Sequence, residues 1–234
     1  MWLSGDGRCD SPGHNAKYGT YTMLDQETDK IIDFNVVQVS EVNNSNAMER
    51  EGFKRCMDNI KGKEGQVKVV ATDRHVGIRA DIKRLYPEVE HQFDVWHLSK
   101  SITKKLNEKA KKKDCSELSP WIKSISNHLW WCAETCDGNK DLLKEKWISI
   151  LHHTSNIHSW DSADVNQQCA HPPLTNAEAR TKKWLRLNTP AHEALKAIVM
   201  DRNLLKDIQQ LSLCCHTGKL KVYHSVYTKY SPKR

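Results

Sequence analysis

No apolar stretch in this chain approaches the length of a membrane span, which argues against a transmembrane helix. The N-terminus lacks a signal-peptide pattern, because Asp6, Arg8 and Asp10 interrupt any apolar segment there. There is no internal repeat and no long low-complexity tract, so repeat architectures and tail-like segments are set aside. Acidic residues are also missing from one place: none occurs after Asp207.

What is present fits a globular protein. The 234 residues are 38% hydrophobic and 28% charged, enough for one large domain or one domain carrying an insertion. The formal charge is +7, with much of the excess between Lys100 and Lys113, which favours a polyanionic partner. Eight cysteines without a secretion signal point to free thiols or metal ligands in an intracellular setting. A strand-like segment starts almost at Met1 and the chain stops soon after a helical pattern, as expected for a fragment or a trimmed core.

The first third reads as α/β. Met1 to Ser4, Gly19 to Leu24 and Ile31 to Val39 are predicted as three antiparallel strands, the last two joined by the turn-forming Asp25 to Lys30. Between Asn46 and Lys61 the period changes, and Phe53, Cys56, Met57 and Ile60 mark an amphipathic helix. Val67 to Ala71 is a continuous apolar run, as in a strand covered on both faces. A helix from His75 to Tyr86, ended by Pro87, and a strand from His91 to Val95 follow. This element order is that of an RNase H-like fold, in which the first and fourth strands are neighbours at the sheet centre. From His97 to about Leu211 the patterns are helical. Trp130, Trp131, Trp147, Trp160 and Trp184 supply bulk for a second core, and Asp161 to Thr175 reads as a polar loop. The expected class is α/β, an RNase H-like mixed sheet interrupted by a large all-α insertion. The expected division is residues 1–114 and 213–234 for the core, the latter with its closing helix, and 115–212 for the insertion.

Two aspartates stand in tight local contexts, Asp6 in Ser4-Gly5-Asp6-Gly7-Arg8 and Asp73 in Val69-Val70-Ala71-Thr72-Asp73-Arg74-His75. Carboxylates on neighbouring strands can share divalent cations for phosphoryl transfer. Gly5 and Gly7 would let a phosphate backbone approach. Asp10 competes with Asp6 as the first ligand, and the sequence leaves that choice open. For Asp73 the bland alternative is a helix cap.

Together with His91-Gln92-Phe93-Asp94-Val95-Trp96-His97, His128-Leu129-Trp130-Trp131 and His216-Thr217-Gly218-Lys219-Leu220, the segments Gly5-Asp6-Gly7-Arg8-Cys9-Asp10-Ser11-Pro12-Gly13 and Thr72-Asp73-Arg74-His75 carry a resemblance. Through nearly the whole chain the sequence resembles the catalytic domain of Kolobok-type DDE DNA transposases. The resemblance implies an RNase H-like fold with a helical insertion, and Mg2+- or Mn2+-dependent cutting and joining of DNA at Asp6 and Asp73. It also implies nuclear action, transposon ends and target DNA as partners, and a homo-oligomeric assembly without a membrane. A THAP-type zinc module often precedes such domains and is not in this sequence. Asp94-x-x-His97 matches a signature shared by several DDE families, with His97 reaching the scissile phosphate and Asp94 orienting it or approaching the metals. The competing reading of His97 is a helix-start histidine packed beside Trp96.

The sequence departs from the family at the third acid. The family stretch is His-Thr-Gly-x-Leu-Glu, and the position of the glutamate is Lys221 here. A lysine would repel the metals and is expected to pair with Asp6 or Asp73 instead. Glu178, in the insertion, is the rescue candidate, ahead of Glu193. The expectation is therefore an impaired transposase-type domain. Its alternative is a catalytically inactive DNA-binding or protein-interaction domain, and a third reading is a zinc-stabilised helical interaction protein.

Two further constellations remain. Cys132, Cys136, Cys169 and His171 are candidate ligands for a structural Zn2+, with His152, His153 and His158 in reserve. Arg74, Lys100, Lys104, Lys105 and Lys109 are the candidate DNA-phosphate contacts, extended by Arg79, Arg84 and Lys111 to Lys113, and a solvated lysine face is the plain alternative.

Overall fold

The computed structural model describes residues 1–11, 16–63, 65–162 and 165–230; Pro12 and Gly13 of the segment from Gly5 to Gly13 lie outside them. The chain divides into two compact units, Met1–His97 with Cys215–Arg234, and Leu98–Cys214. The boundaries fall at 97/98 and 214/215, where the sequence pattern suggested 114/115 and 212/213.

In the first unit, β1 (Trp2–Cys9), β2 (Tyr18–Asp25) and β3 (Ile31–Gln38) form an antiparallel meander. Helix α1 (Ser45–Gly62) follows, then β4 (Val69–Thr72), α2 (Val76–Leu85) and β5 (Glu90–Phe93). The mixed sheet runs β3-β2-β1-β4-β5, with β4 parallel to both β1 and β5. The expected adjacency of the first and fourth strands is present. Strand β1 is longer than the predicted Met1 to Ser4. Gly5, Asp6 and Gly7 keep pairing with Met23, Thr22 and Tyr21, so Asp6 sits inside the strand.

Local chemistry sets the boundaries. Asn44 caps α1 by accepting the Ala47 amide at 2.9 Å, and His75 Nδ1 caps α2 by accepting the Ile78 amide at 3.2 Å. All four residues of β4 are buried, as a strand covered on both faces requires. Leu3, Tyr21, Phe53, Met57, Val70 and Ile82 belong to one core, with Phe53 edge-on to Tyr21 at 5.7 Å and to Tyr86 at 6.2 Å. The chain re-enters this unit at α10 (Gly218–Tyr230), which packs on β1.

Helix α3 (Val95–Ala110) leads into the second unit. There follow a 3-10 segment (Lys113–Trp121), α4 (Ile122–Glu134), α5 (Lys140–Ile148) and α6 (Ile150–Thr154). Next come β6 (Ser159–Ser162), β7 (Val165–Gln168), α7 (Asn176–Thr181), α8 (Pro190–Val199) and α9 (Arg202–Ile208). The antiparallel β6–β7 hairpin corrects the expectation of an all-α insertion and of a plain loop across Asp161 to Thr175. Its sequence is polar and lacks the apolar alternation that announces a half-buried strand. Of the tryptophans expected to fill this core, Trp147 is fully buried, with its indole N–H donating to Val199 O at 3.2 Å. Trp130, Trp131, Trp160 and Trp184 are only partly buried. No helix among the described residues is long and apolar enough to cross a membrane.

Candidate active site

The sheet register brings Asp6 and Asp73 to matching places. Ser4 pairs with Ala71 at the end of the parallel β1–β4 ladder, and each aspartate lies two residues further along its chain. Asp6 points to the α10 side of the sheet. There His224 Nδ1 approaches its Oδ2 at 3.5 Å, while His224 Nε2 lies 3.3 Å from the hydroxyl of Thr22, the cross-strand partner of Asp6. Asp73 uses one oxygen, Oδ1, to accept the His75 amide at 3.0 Å.

The other face of β1 reveals an acid that sequence reasoning missed. Glu49 of α1 lies against Gly7, where an added Cβ would come within 2.6 Å of Glu49 Cγ. Burial first, then Asp73 and Asp6, push the Glu49 carboxyl up to about 8. The same three carboxylates, after burial, push the Tyr21 hydroxyl up, and that buried hydroxyl has no hydrogen-bond partner. Glu49 was legible in principle. It shares a helical face with Phe53, Cys56 and Ile60, and an acid on an apolar stripe is a signal of function. His224 lies three residues after Lys221 in the same C-terminal stretch, and that nearness was its signal.

Asp10 is placed differently. Its carboxylate accepts the backbone amides of Lys17 at 3.0 Å and Tyr18 at 3.3 Å and holds the start of β2 beside the end of β1. Asp6, not Asp10, is the neighbour that raises Glu49.

Asp94 is fully buried and saturated by donors. Its Oδ1 accepts the Trp96 amide at 2.8 Å and caps α3. Its Oδ2 accepts the Thr217 hydroxyl and lies 3.4 Å from Lys221 Nζ and 3.6 Å from His97 Nε2. Lys221 also stands over the Trp96 ring, 3.3 Å from its centroid. The expected pairing of Lys221 with Asp6 or Asp73 is thus corrected: Thr217 and Lys221, one helical turn apart, both converge on Asp94. His97 is partly exposed and packs edge-on against Trp96 at 4.9 Å.

In the second unit Glu178 caps the N-terminal end of α7. Its Oε2 accepts from the Thr175 amide and hydroxyl, both at 2.8 Å, a capping box that holds its carboxyl below the usual range. Lys100, Lys104, Lys105 and Lys109 are exposed along α3. In the first unit Arg74 is exposed, whereas Arg84 bonds Asp81 at 3.1 Å. The candidate zinc ligands separate. Cys136 Sγ donates to Ala133 O and Ser212 O, both at 3.3 Å, and Cys132 is buried in α4. Cys169 and His171 gather instead with His153 and His158, their ligand atoms all within 4.8 Å of one another. Among the described residues this is the grouping of three or more donors that meets such a spacing, so the Asp6–Glu49–Asp73 corner is the more open of the two.

In comparisons with known proteins, no family model matches the chain and no curated protein matches it.

Proposed function

We propose that the first unit is an RNase H-like domain of the transposon-derived DDE type, with Asp6, Glu49 and Asp73 as its carboxylates toward DNA phosphodiesters. The observation that carries this reading is the corner itself: two aspartates at matching places on adjacent parallel strands, and a glutamate pushed up to about 8 by burial first and then by both aspartates. Carboxylates that raise one another's hold on a proton favour a divalent cation as their occupant. Mg2+ or Mn2+, when bound, would supply activation of an attacking oxygen and neutralisation of a leaving one.

The chain's own residues have distinct parts. His224 holds one oxygen of Asp6, and the His75 amide holds one oxygen of Asp73. Glu49 keeps its proton at neutral pH until a counter-charge arrives. The last helix presents Lys221 where the family has a carboxylate, and Asp94 holds that lysine. Strand cleavage is impaired as a result, to the level that Asp6, Glu49 and Asp73 sustain. DNA in the nucleus is the substrate on this reading, with exposed lysines of α3 on phosphates.

Manganese-dependent nicking of a labelled duplex tests it. Weak nicking by the wild type, abolished in Asp73→Ala and in Glu49→Gln, is the expected result. Nicking unchanged by both substitutions would overturn the site. A second reading, a DNA-binding domain without catalysis, is favoured by the donors that saturate Asp94. It would show as salt-sensitive DNA binding with no nicking, even in Lys221→Glu.

A further inference from the structure

The second unit holds a group of side chains that the acidic corner does not use. His153 lies in α6, His158 directly precedes β6, Cys169 directly follows β7, and His171 comes two residues later. Cys169 Sγ is 3.4 Å from His158 Nδ1 and 3.6 Å from His153 Nδ1. The ring centroids of the three histidines are 4.9 to 5.2 Å apart.

The outward nitrogens fix the tautomers. His158 Nε2 lies 3.1 Å from Asn156 Oδ1, an acceptor, so its proton sits there and Nδ1 offers a lone pair inward. His171 Nδ1 lies 2.7 Å from Pro172 O, again an acceptor, so Nε2 carries the lone pair. That Nε2 is buried and has no hydrogen-bond partner. The inward lone pairs of His158 and His171 therefore lie beside one thiol, whose single proton cannot satisfy both. A partly buried set with an unpartnered acceptor is costly unless a Lewis acid fills it.

We propose that His153 Nδ1, His158 Nδ1, Cys169 Sγ and His171 Nε2 bind one Zn2+ as a closed, structural tetrahedral site. Zinc–sulfur and zinc–nitrogen bonds of about 2.3 and 2.0–2.1 Å at tetrahedral angles place sulfur and nitrogen about 3.5–3.6 Å apart. The observed separations of 3.4 and 3.6 Å match that edge before any metal is added. One thiolate with three imidazoles suits a borderline-soft ion and excludes Mg2+ and Ca2+ as preferred occupants. Four protein ligands leave no open position, which makes the ion structural. Asn156 Oδ1 and Pro172 O are the outer partners that orient two of the rings.

The ion closes a hairpin. The Cys169 amide donates to His158 O at 2.9 Å at the open end of β6–β7, and the metal would pin that end to α6. Trp184 stands edge-on to His153 at 6.0 Å and to His158 at 5.6 Å and shields the site. Trp160 of the hairpin stacks on His152 at 4.7 Å. Trp160, Gln167 and Cys169 share with Trp131 and Lys146 the wall of a cavity of about 680 Å³. Zinc would thus hold one wall of that cavity in place.

The test is metal content and Co2+ spectroscopy on the purified chain. Wild type, Cys132→Ala and Cys136→Ala are each expected to hold about one zinc per chain. Cys169→Ala and His171→Ala are expected to lose it. Co2+ exchanged into the wild type should show a thiolate charge-transfer band that Cys169→Ser removes. His158→Cys should retain the metal and strengthen the band, so a loss through misfolding is distinguishable from a loss of ligands. Asn156→Gly removes the outer acceptor without strain, because the residue sits at φ 61°, and should weaken the affinity about 10-fold. A wild type that takes up neither Zn2+ nor Co2+ would overturn the site. So would a band that survives Cys169→Ser or disappears with Cys132→Ala.

Discussion

Glu49 and Lys221 are each an ionisable group held in a place its chemistry resists. The Glu49 carboxyl titrates near 8 in the folded chain and near 4.5 when unfolded. Its folded value is raised, so its contribution to stability is full below about pH 4.5 and is lost as pH rises through about 8. In chelator, Glu49→Gln should therefore be more stable than the wild type at pH 8–9, with the advantage gone near pH 4.5, as read from thermal unfolding across pH. An equal difference at both ends would contradict the crowding. Lys221 offsets a fully buried carboxylate at 3.4 Å. Lys221→Glu would set two acids against each other there. The expected loss in metal-free protein is on the order of 2–4 kcal/mol, below that of a wholly buried pair because Lys221 is partly exposed. Mg2+ or Mn2+ should return part of it. A variant as stable as the wild type in chelator would show that the Asp94 contact is slack.

At the scale of elements, the strands and helices of the first unit were legible because each repeats a simple pattern. Phe53, Cys56, Met57 and Ile60 keep the helical period in α1, and β4 is an unbroken apolar run. The extension of β1 through Gly5 and Gly7 was not legible, since glycines argue against strand unless something fills the space above them. Tyr21 and Glu49 fill it, and both are distant in sequence. Hairpin β6–β7 was hidden for a different reason. Backbone pairing and the His/Cys group hold its ends, so its side chains need no apolar alternation. Gly7→Ala tests the tie between strand and site. Its new methyl would meet Glu49 Cγ at 2.6 Å and Cδ at 2.8 Å, so the carboxylate must move. Nicking should fall by up to about 100-fold, the cost of misplacing a catalytic group by about 1 Å, with the circular dichroism unchanged. Full activity in Gly7→Ala would detach Glu49 from the site.

For the molecule as a whole, the two proposals assign separate metal chemistries to the two compact units, oxygen donors in one and nitrogen and sulfur donors in the other. The Asp6 and Asp73 pair could be read from sequence because each lies in a local motif. The true companions of Cys169 and His171 could not, because His153 and His158 join them through the hairpin and α6, while Cys132 and Cys136 are thiols of a helical core. Calorimetry should separate the units. A strong chelator at pH 7 should lower the unfolding temperature of the second unit and leave that of the first, whereas Mg2+ should raise only the first. A single transition that both treatments shift together would contradict this division of labour.

If Asp6, Glu49 and Asp73 share one cation as proposed, titration calorimetry with Mn2+ on zinc-loaded protein should show it. At pH 7 the Glu49 carboxyl, near 8, is largely protonated, so binding should release about one proton per chain, seen as a heat that changes with buffer. Asp73→Ala should abolish binding, and Glu49→Gln should weaken it and remove the proton release. Mn2+ binding that persists unchanged in both variants, or is absent from the wild type, would contradict the claim.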